Sequence, residues 1–315
     1  MQFIDADTVH SSLNYPDLMD AFELAHRQEP PRIERSLLAP PPGTRPDGEG
    51  FLVHSCWAPG RAMGVKMAIA LPDNAKRDDG IPSVQAVYQL FDGETGSPSM
   101  TIDGTALTLW KTAADSGLGS RLLSRDDAKA LLMIGAGALA PHLIKAHLAA
   151  RPGLERILIW NRTQSRCETV LAQLDTDIEI VEDLNAAVSE ADVITVATMA
   201  TVPLVLGRYL KPGAHVDLVG GYTPNMREAD DETMRRAQIY VNYRGATIGE
   251  VGDLTKPMEA GVIGLGDIQG DLFDLCNGRA KGRLSADEIT VYKNGGGGHL
   301  DLFTAEHLAD CLNRP

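Results

Sequence analysis

The sequence predicts an α/β protein in which a doubly wound parallel sheet domain is inserted in a smaller α+β domain. Between residues 113 and 293, short apolar runs alternate with helical patterns, as in parallel sheets covered by helices on both faces. Before that segment, the apolar runs end in turn residues, which is typical of antiparallel hairpins. A last helical pattern, Thr304–Leu312, is expected to return to the first domain. We therefore assign residues 1–112 and 294–315 to one domain and 113–293 to the other.

The parallel-sheet domain begins with a strand, a glycine turn and a helix. The apolar run Ala130–Ile134 leads directly into Gly135-Ala136-Gly137-Ala138-Leu139-Ala140, and a helical pattern and a second apolar run, Ile157–Trp160, follow. In such a unit the first glycine permits the sharp turn and the second lets the backbone approach a pyrophosphate. The first N–H groups of the helix are available to the anion. The glycine pattern alone is common, but between a strand and a helix it predicts a dinucleotide-binding Rossmann domain.

The rest of this domain continues the alternation of strand and helix. Apolar runs predict strands at Ile178–Val181, Asp192–Thr198, Val216–Gly220 and Gln238–Val241. Intervening patterns predict helices at Ser165–Leu174, Leu184–Ala191 and Val202–Leu210.

The first domain is expected to be a mainly antiparallel sheet with a helix near its start. The helix is predicted at Tyr15–Gln28, before the proline-rich stretch Pro30–Pro46. Turn residues at Asp92–Gly96 indicate a hairpin. Strands are predicted at Phe51–Trp57, Met63–Leu71 and Ser83–Phe91.

Composition narrows the class of protein. The 315 residues suffice for two domains, and the net charge of −14 argues against nucleic acid or an anionic membrane as a partner. No apolar run approaches the roughly 18 residues of a membrane-spanning helix, and the N-terminus lacks the features of a signal peptide. The four cysteines have neither zinc-site nor disulfide-framework spacing. We expect a cytoplasmic protein with reduced thiols and no metal.

The segment after the second strand bears on the choice of cofactor. NAD-binding domains usually carry an acidic residue about 20 residues after the glycines, where it holds the ribose hydroxyls. This chain has Asn161-Arg162-Thr163 in that place. With no carboxylate to repel a 2′-phosphate, Arg162 could pair with that phosphate or stack on the adenine. NADP(H) is therefore favoured over NAD(H); the alternative is that Arg162 is a solvated loop charge.

Five segments, in this order along the chain, resemble the ornithine cyclodeaminase/mu-crystallin family. They are Gly64-Val65-Lys66, Leu107–Ala114, Ile134–Ala140, Val219–Glu228 and Val291–Gly296. The pattern is most similar to the cyclic ketimine reductases of that family. The resemblance implies a nicotinamide-binding Rossmann domain, a substrate-binding domain that also dimerises, and hence a homodimer.

The resemblance also assigns roles to residues. Lys66 matches the active-site lysine, Arg35 would grip the substrate carboxylate, and Lys111 stands where many members carry an arginine that contacts substrate or cofactor. Lysine keeps the charge there and loses the bidentate fork. Together with the glycine turn and Arg162, it gives the candidate cofactor-binding set Ser83, Lys111, Gly135, Ala136, Gly137, Ala138, Leu139, Asn161, Arg162, Thr198, Val219, Gly220, Gly221 and Asn294.

Tyr222 departs from the cyclodeaminases, which carry an aspartate there. A phenol with a pKa of about 10 is a poor general base near neutrality. Hydrolytic deamination needs such a base, whereas reduction of a preformed cyclic imine does not. The sequence thus favours an NAD(P)H-dependent reductase of Δ1-pyrroline-2-carboxylate or Δ1-piperideine-2-carboxylate, giving L-proline or L-pipecolate. The alternatives are an ornithine cyclodeaminase, an alanine dehydrogenase, a 3-hydroxyproline dehydratase, or a crystallin-like NADP-binding protein without activity.

Plainer structural roles remain open for several of these residues. Lys66 could be a surface lysine, and Arg35 could form a structural ion pair. Tyr222 is expected to be core filler that shapes the pocket. His54 could donate a proton, although a satisfied core or edge histidine is the favoured interpretation. Asp301 is expected to cap the terminal helix.

Overall fold

The structure, a computed structural model, describes residues 2–41, 43–45, 49–77 and 81–313, with only the backbone of residues 75 and 76. The chain divides into two compact units. Unit 1 comprises Met1–Ala21, Glu29–Lys111 and Gly297–Pro315, and unit 2 comprises Phe22–Gln28 and Thr112–Gly296.

The elements are numbered in chain order. The strands are β1 Gln2–Ile4, β2 Arg32–Leu38, β3 Gly50–Ala58, β4 Ala62–Ala70, β5 Val84–Asp92, β6 Pro98–Asp103, β7 Ala130–Ile134, β8 Arg156–Trp160, β9 Ile178–Ile180, β10 Val193–Val196, β11 His215–Leu218, β12 Ala237–Val241, β13 Ile268–Asp271 and β14 Ile289–Lys293. The helices are α1 Ala6–Ser12, α2 Tyr15–His26, α3 Gly104–Leu123, α4 Ala140–Ala150, α5 Ser165–Leu171, α6 Leu184–Glu190, α7 Asp231–Arg236, α8 Arg244–Thr247, α9 Gly252–Glu259, α10 Leu272–Cys276 and α11 Gly298–Asn313. Single 3-10 turns occur at Pro72–Lys76, Gly207–Tyr209 and Leu265–Asp267.

Unit 1 is built on a six-stranded sheet in the order β1-β6-β5-β4-β3-β2. All neighbours are antiparallel except β1 and β6, which are parallel. The hairpin expected at Asp92–Gly96 joins β5 to β6, and the Asp92 side chain accepts hydrogen bonds from the backbone N–H groups of Glu94 and Thr95. Helix α11 packs on β3, β4 and β5. Burial alternates along β4, so one of its faces is covered and the other is more open.

Unit 2 is built on an eight-stranded sheet in the order β13-β12-β14-β11-β10-β7-β8-β9, and every neighbouring pair is parallel. The strand order reverses at β7, which has β8 on one side and β10 on the other. Strands β7, β10 and β11 are buried along their whole length. The near-continuous apolar runs of β7 and β10 predict this burial, whereas β11 also buries His215 and Asp217. The predicted α/β class with a doubly wound parallel sheet is confirmed.

One predicted helix is wrong. The segment Val202–Leu210 forms only the single turn Gly207–Tyr209. Pro203 lies near its start, and the N–H groups of Leu204 and Val205 donate to the carbonyl of Glu228 in an extended arrangement. Val205 is fully buried in the apolar core of the sheet. The apolar spacing that suggested a helix therefore reflects burial of an irregular segment.

Other elements differ from the expectation in extent. Helix α3 is 20 residues long and has no counterpart among the predicted helices; the Asp103 carboxylate accepts from the N–H of Ala106 in its first turn. Strand β2 lies within the proline-rich stretch, of which Pro42 and Pro46 fall outside the described residues. Helix α11 begins at Gly298 instead of Thr304, which changes the role of Asp301. Within the described residues, no helix combines the length and apolar content needed to cross a bilayer.

Candidate active site

A row of polar side chains crosses the covered face of the unit 1 sheet. Arg35 on β2 lies in register with His54 on β3, His54 with Lys66 on β4, and Lys66 with Tyr88 on β5. Residues paired in this way project to the same side of a sheet, with their Cβ atoms about 5 Å apart. Arg35 is exposed near the sheet edge, whereas Lys66 and Tyr88 are buried. The strand register thus places the predicted Arg35 and Lys66 on one face.

Asp301 connects the two predicted lysines. Its Oδ1 atom lies 3.3 Å from Lys66 Nζ and its Oδ2 atom 3.1 Å from Lys111 Nζ. The Asp301 side chain is 0% exposed, and the side chains of Lys66 and Lys111 are 10% and 7% exposed. Lys66 also donates to the hydroxyl of Thr108, and Lys111 donates to the carbonyl of Gly297 at 3.2 Å.

Local structure explains why these groups meet. Thr108 and Lys111 are three residues apart on α3, so their side chains lie on the same side of that helix. Asp301 lies in the first turn of α11, which packs directly on β4 and so faces Lys66. The expected role of Asp301 as a helix cap is wrong, because the helix begins three residues earlier and the carboxylate is engaged by the lysines.

The charges shift one another's protonation. Burial, together with the charge of Lys111, lowers the pKa of Lys66 to about 8, although Asp301 acts in the opposite direction. Burial works to raise the pKa of Asp301, but the ammonium groups of Lys111 and Lys66 outweigh it and keep that pKa below its usual value. Burial, followed by the charge of Lys111, lowers the pKa of His54 to about 4. His54 is therefore neutral near pH 7, and the cluster keeps an excess of positive charge that suits an anionic ligand.

Unit 2 carries the glycine turn in a form that suits a dinucleotide. Gly135 has φ 113°, and a Cβ atom at this position would lie 2.5 Å from the carbonyl oxygen of Ala197. A Cβ at Gly137 would meet nothing within 4 Å, so ligand atoms have room to approach the backbone there. Ala140, fully buried, begins α4 directly after the turn. The residues present thus fit a nicotinamide dinucleotide whose pyrophosphate lies against this turn.

The loop after β8 holds the predicted ribose-side residues. Asn161 Nδ2 donates to the carbonyl of Thr163 at 2.8 Å, and this bond orders the turn. Arg162 is exposed beside it, as is Arg166 one helical turn further on.

The predicted nicotinamide-side residues follow β10, β11 and β14. Val219 is buried, and its N–H donates to the carbonyl of Val196 at 2.8 Å. Asn294 Nδ2 donates to the Thr112 carbonyl at 2.9 Å and to Ser116 Oγ at 3.0 Å. Thr198, Gly220 and Gly221 are joined through one buried carboxylate, that of Glu228.

Two predicted residues are placed differently from their expected roles. Tyr222 is 62% exposed, so the expectation that it is core filler is wrong. Ser83 precedes β5 in unit 1, where its carbonyl accepts from the N–H of Leu71 at 2.7 Å and its hydroxyl donates to the Pro72 carbonyl at 3.4 Å. These bonds give Ser83 a local role in a turn, and its assignment to the cofactor remains a prediction.

Sequence reasoning missed Thr108 and Glu228 and misread Asp301. Thr108 could have been found from its spacing to Lys111, had α3 been predicted. Asp301 is 235 residues from Lys66 in the chain, and no local pattern connects them. Across the described parts of the chain, no group of three or more His, Cys, Asp or Glu side chains is arranged to hold a metal ion.

The chain combines a doubly wound parallel sheet, a glycine turn whose geometry suits a pyrophosphate, and a buried lysine–carboxylate cluster. These features are typical of nicotinamide nucleotide-binding α/β proteins. Within that class, the chain belongs to the ornithine cyclodeaminase/mu-crystallin family, whose sequence model matches residues 9–313. The family resemblance drawn from the sequence is confirmed.

Relatives over nearly the whole chain carry more specific names. A Paracoccus denitrificans protein named Δ1-pyrroline-2-carboxylate reductase is 40% identical over 314 residues, covering 99% of this chain and 97% of that relative. The Arabidopsis thaliana Protein SAR DEFICIENT 4 is 39% identical, covering 96% and 95%. The solved structure of Thermococcus litoralis Δ1-pyrroline-2-carboxylate reductase in complex with NADH and L-proline superimposes with a TM-score of 0.90 at 28% identity, covering 99% and 97%.

Proposed function

We propose that the chain is an NAD(P)H-dependent reductase of cyclic imino acids, which converts Δ1-pyrroline-2-carboxylate or Δ1-piperideine-2-carboxylate to L-proline or L-pipecolate. The observation that carries this proposal is the buried cluster of Lys66, Lys111 and Asp301 in a chain that also has a dinucleotide-binding turn. The 40% identity to a relative named for this reaction supports it.

The cluster supplies a site for the substrate carboxylate. Two ammonium groups, Lys66 and Lys111, share one carboxylate, Asp301, which leaves one positive charge in excess at neutral pH. Arg35, on the same face of the sheet, is the further cation proposed for the substrate carboxylate. Asp301 takes one hydrogen bond from each lysine and so holds both ammonium groups in place. Each ammonium has three donors, and those not used by Asp301, Thr108 or Gly297 remain for an anionic ligand.

Lys66 is also the proposed proton donor. Reduction of the C=N bond adds a hydride to C2 and a proton to the ring nitrogen. An ammonium with a pKa of about 8 is protonated at neutrality, yet gives up its proton more readily than an ordinary lysine. After donation, Lys66 takes up a proton from solvent and the cluster returns to its starting charge.

The cofactor, when bound, supplies the hydride. We place its pyrophosphate at Gly135–Leu139, its adenosine ribose at Asn161, and its nicotinamide beside Thr198, Val219–Gly221 and Asn294. Arg162 favours NADP(H), because an exposed guanidinium with no neighbouring carboxylate on this loop suits a 2′-phosphate.

We further propose that two copies of the chain associate through the open face of the unit 1 sheet. On β3, β4 and β5 the face opposite Lys66 is mostly apolar, and Trp57 and Ile69 on it are each 46% exposed. Polar and charged side chains on β2, Arg32, Glu34 and Ser36, lie at the edge of the same face. Its residues include Phe51, Val53, Met63, Val65, Met67, Val87 and Phe91. Light scattering is expected to give a dimer for the wild type and a monomer for Ile69→Glu. Leu284→Glu, at an exposed position in unit 2, is expected to stay dimeric, and an Ile69→Glu dimer as stable as the wild type would contradict the proposal.

A substrate panel tests the activity against its rivals. Initial rates of cofactor oxidation are measured at 340 nm with NADPH or NADH and each cyclic imine. The same assay with pyruvate plus ammonia tests for an alanine dehydrogenase. Ammonia release from ornithine and turnover of 3-hydroxyproline are measured separately and test for the cyclodeaminase and the dehydratase. The proposal predicts cofactor oxidation with the cyclic imines at the highest kcat/KM. Ammonia release from ornithine without net cofactor change, or cofactor binding without turnover of any substrate, would contradict it.

A further inference from the structure

Glu228 joins two loops at the carboxyl edge of the unit 2 sheet. One oxygen of its carboxylate, Oε1, accepts from the backbone N–H of Thr198 at 2.7 Å and from the Thr198 hydroxyl at 2.9 Å. The other, Oε2, accepts from the N–H groups of Gly220 at 2.8 Å and Gly221 at 3.2 Å. Thr198 follows β10 and the two glycines follow β11. A single side chain thus satisfies three backbone donors in segments that are not adjacent in sequence.

A buried ion pair stands behind this carboxylate. The N–H of Glu228 donates to Asp253 Oδ1 at 2.7 Å, and Asp253 Oδ2 accepts from Lys293 Nζ at 3.0 Å. None of the three residues is more than 1% exposed. The ammonium of Lys293 pairs with Asp253 and not with Glu228, so a buried negative charge remains when all three groups are ionised.

The loops allow little rearrangement around Glu228. A Cβ atom at Gly220 would lie 2.0 Å from the Thr198 carbonyl oxygen, and one at Gly221 would lie 2.3 Å from Asp253 Oδ2. Thr198 lies beside the glycine turn, since a Cβ atom added at Gly135 would lie 3.3 Å from Thr198 Cγ2. Strands β7 and β10 are neighbours at the point where the strand order reverses, and ligands of open α/β sheets bind at such a point.

We propose that Glu228 is a positioning residue for cofactor binding, and that its ionised carboxylate holds the loops after β10 and β11 in the arrangement the nicotinamide side requires. This inference rests on the proposed cofactor site in unit 2. Glu228 itself is buried beneath the two loops and acts through their backbone.

The ionised form is the one that fits these bonds. Oε2 faces only the N–H groups of Gly220 and Gly221, so a proton on this oxygen would point at N–H groups and remove their acceptor. A proton on Oε1 would turn the Thr198 hydroxyl from a donor into an acceptor and weaken the bond from the Thr198 N–H. Burial raises the pKa of Glu228 to about 7; the Lys293 ammonium opposes that shift and Asp253 adds to it. The groups facing Glu228 are thus Asp253 from α9, Lys293 from β14 and the Thr198 hydroxyl. We expect cofactor affinity to weaken as the pH falls through about 7.

The test compares Glu228→Gln with Glu232→Gln, a matched loss of charge at an exposed position four residues away. The Kd of NADPH or NADH is measured by nicotinamide fluorescence from pH 6 to 8.5, with no imine present. At pH 8, Glu228→Gln should raise the Kd about tenfold or more, since it removes a charged acceptor from three backbone donors. Its Kd should also lose the pH dependence of the wild type, which a general loss of stability would not explain. Glu232→Gln should behave as the wild type.

A second variant covers the case in which Glu228→Gln fails to fold. Asp253→Asn keeps an acceptor for the Glu228 N–H and removes the neighbouring negative charge, so the acid-side weakening of binding should move to lower pH. A Glu228→Gln protein with the wild-type Kd and pH dependence would overturn the role of Glu228, and so would an Asp253→Asn protein whose Kd depends on pH as in the wild type. Either result would leave the proposed function standing. A wild type that binds neither cofactor would overturn the proposed function as well.

Discussion

Asp301 holds Lys66 and Lys111 with its two carboxylate oxygens, at 3.3 Å and 3.1 Å, and it is fully buried while doing so. The three residues come from β4, α3 and α11. The ion pairs therefore connect strand β4 to two helices that are far apart in the chain. The same contacts set the direction in which both ammonium groups point. We therefore expect stability and the proposed substrate binding to be coupled at this carboxylate.

Replacing Asp301 by asparagine should destabilise the protein. Two buried ammonium groups would then face a neutral amide, and breaking a buried ion pair by removing one partner costs about 3 kcal/mol or more. Urea unfolding should show this loss in the free energy of unfolding. Asp310→Asn, at an exposed position on the same helix, is the control and should change it little. Equal stabilities of the two variants would show that the ion pairs contribute nothing.

The pH dependence of kcat/KM should follow Lys66. If its ammonium must be protonated, kcat/KM at saturating cofactor should fall as pH rises above about 8. Asp301→Asn should move this decline to lower pH, because Asp301 raises the Lys66 pKa. The ionisation of the imine itself is the same for both proteins, so the shift between them reports on Lys66. Superimposable profiles would contradict the assignment.

The lowered pKa of Lys66 also predicts how the free energy of unfolding changes with pH. Its folded-state pKa of about 8 lies below the ordinary value of 10.5, so the folded chain binds fewer protons than the unfolded chain between these values. The contribution of Lys66 to the free energy of unfolding should therefore rise as pH increases from about 8 to 10.5. Comparing wild type with Lys66→Met in urea at several pH values isolates this contribution. A difference between the two proteins that does not change over this interval would contradict the shift.

Two glycines of the same turn should respond differently to alanine. Gly135→Ala forces a side chain into φ 113° and against the Ala197 carbonyl, so it should lower the Tm as well as cofactor affinity. Gly137→Ala meets open space and should leave the Tm near that of the wild type. Its methyl group would instead occupy the space proposed for the pyrophosphate and raise the cofactor Kd. Thermal scans and NADH fluorescence titrations check both; a Gly137→Ala protein with unchanged affinity would remove the turn from the cofactor site.

Arg162 should set the preference between cofactors. Arg162→Gln is expected to reduce kcat/KM with NADPH about tenfold, because it removes one charge-assisted hydrogen bond to the 2′-phosphate. The kcat/KM with NADH should change little. Arg166→Gln, an equally exposed change on the same segment, is the control. If the ratio of kcat/KM for NADPH to that for NADH is the same in wild type and Arg162→Gln, this arginine does not recognise the 2′-phosphate.

Much of unit 2 could be predicted from the sequence because its determinants are local. The apolar run Ala130–Ile134 and the adjoining glycines specify a buried strand and a sharp turn within a dozen residues. Lys66 was recognisable because a charge interrupts an otherwise apolar β pattern. The segment Val202–Leu210 was misread because the burial of an irregular segment can mimic helical spacing.

The residues that support the site depend on contacts between distant parts of the chain. Asp301 and Lys66 meet only because α11 packs on β4, and the sequence around Asp301 equally fits a helix cap. Glu228 lies eight residues after Gly220, but its contact with Thr198 depends on the neighbouring positions of β10 and β11. Period and spacing within one segment contain no information about such pairings.

The measurement that tests the central claim most directly is the stoichiometry of the proposed reaction. Purified wild type is mixed with NADPH or NADH and Δ1-pyrroline-2-carboxylate, oxidation is followed at 340 nm, and L-proline is quantified at the end point by chiral chromatography. We predict one L-proline formed for each cofactor oxidised, and a kcat at least about a hundredfold lower for Lys66→Met, with the cofactor Kd unchanged. If a folded wild type that binds the cofactor forms no L-proline, or if Lys66→Met retains the wild-type kcat/KM, the account is contradicted.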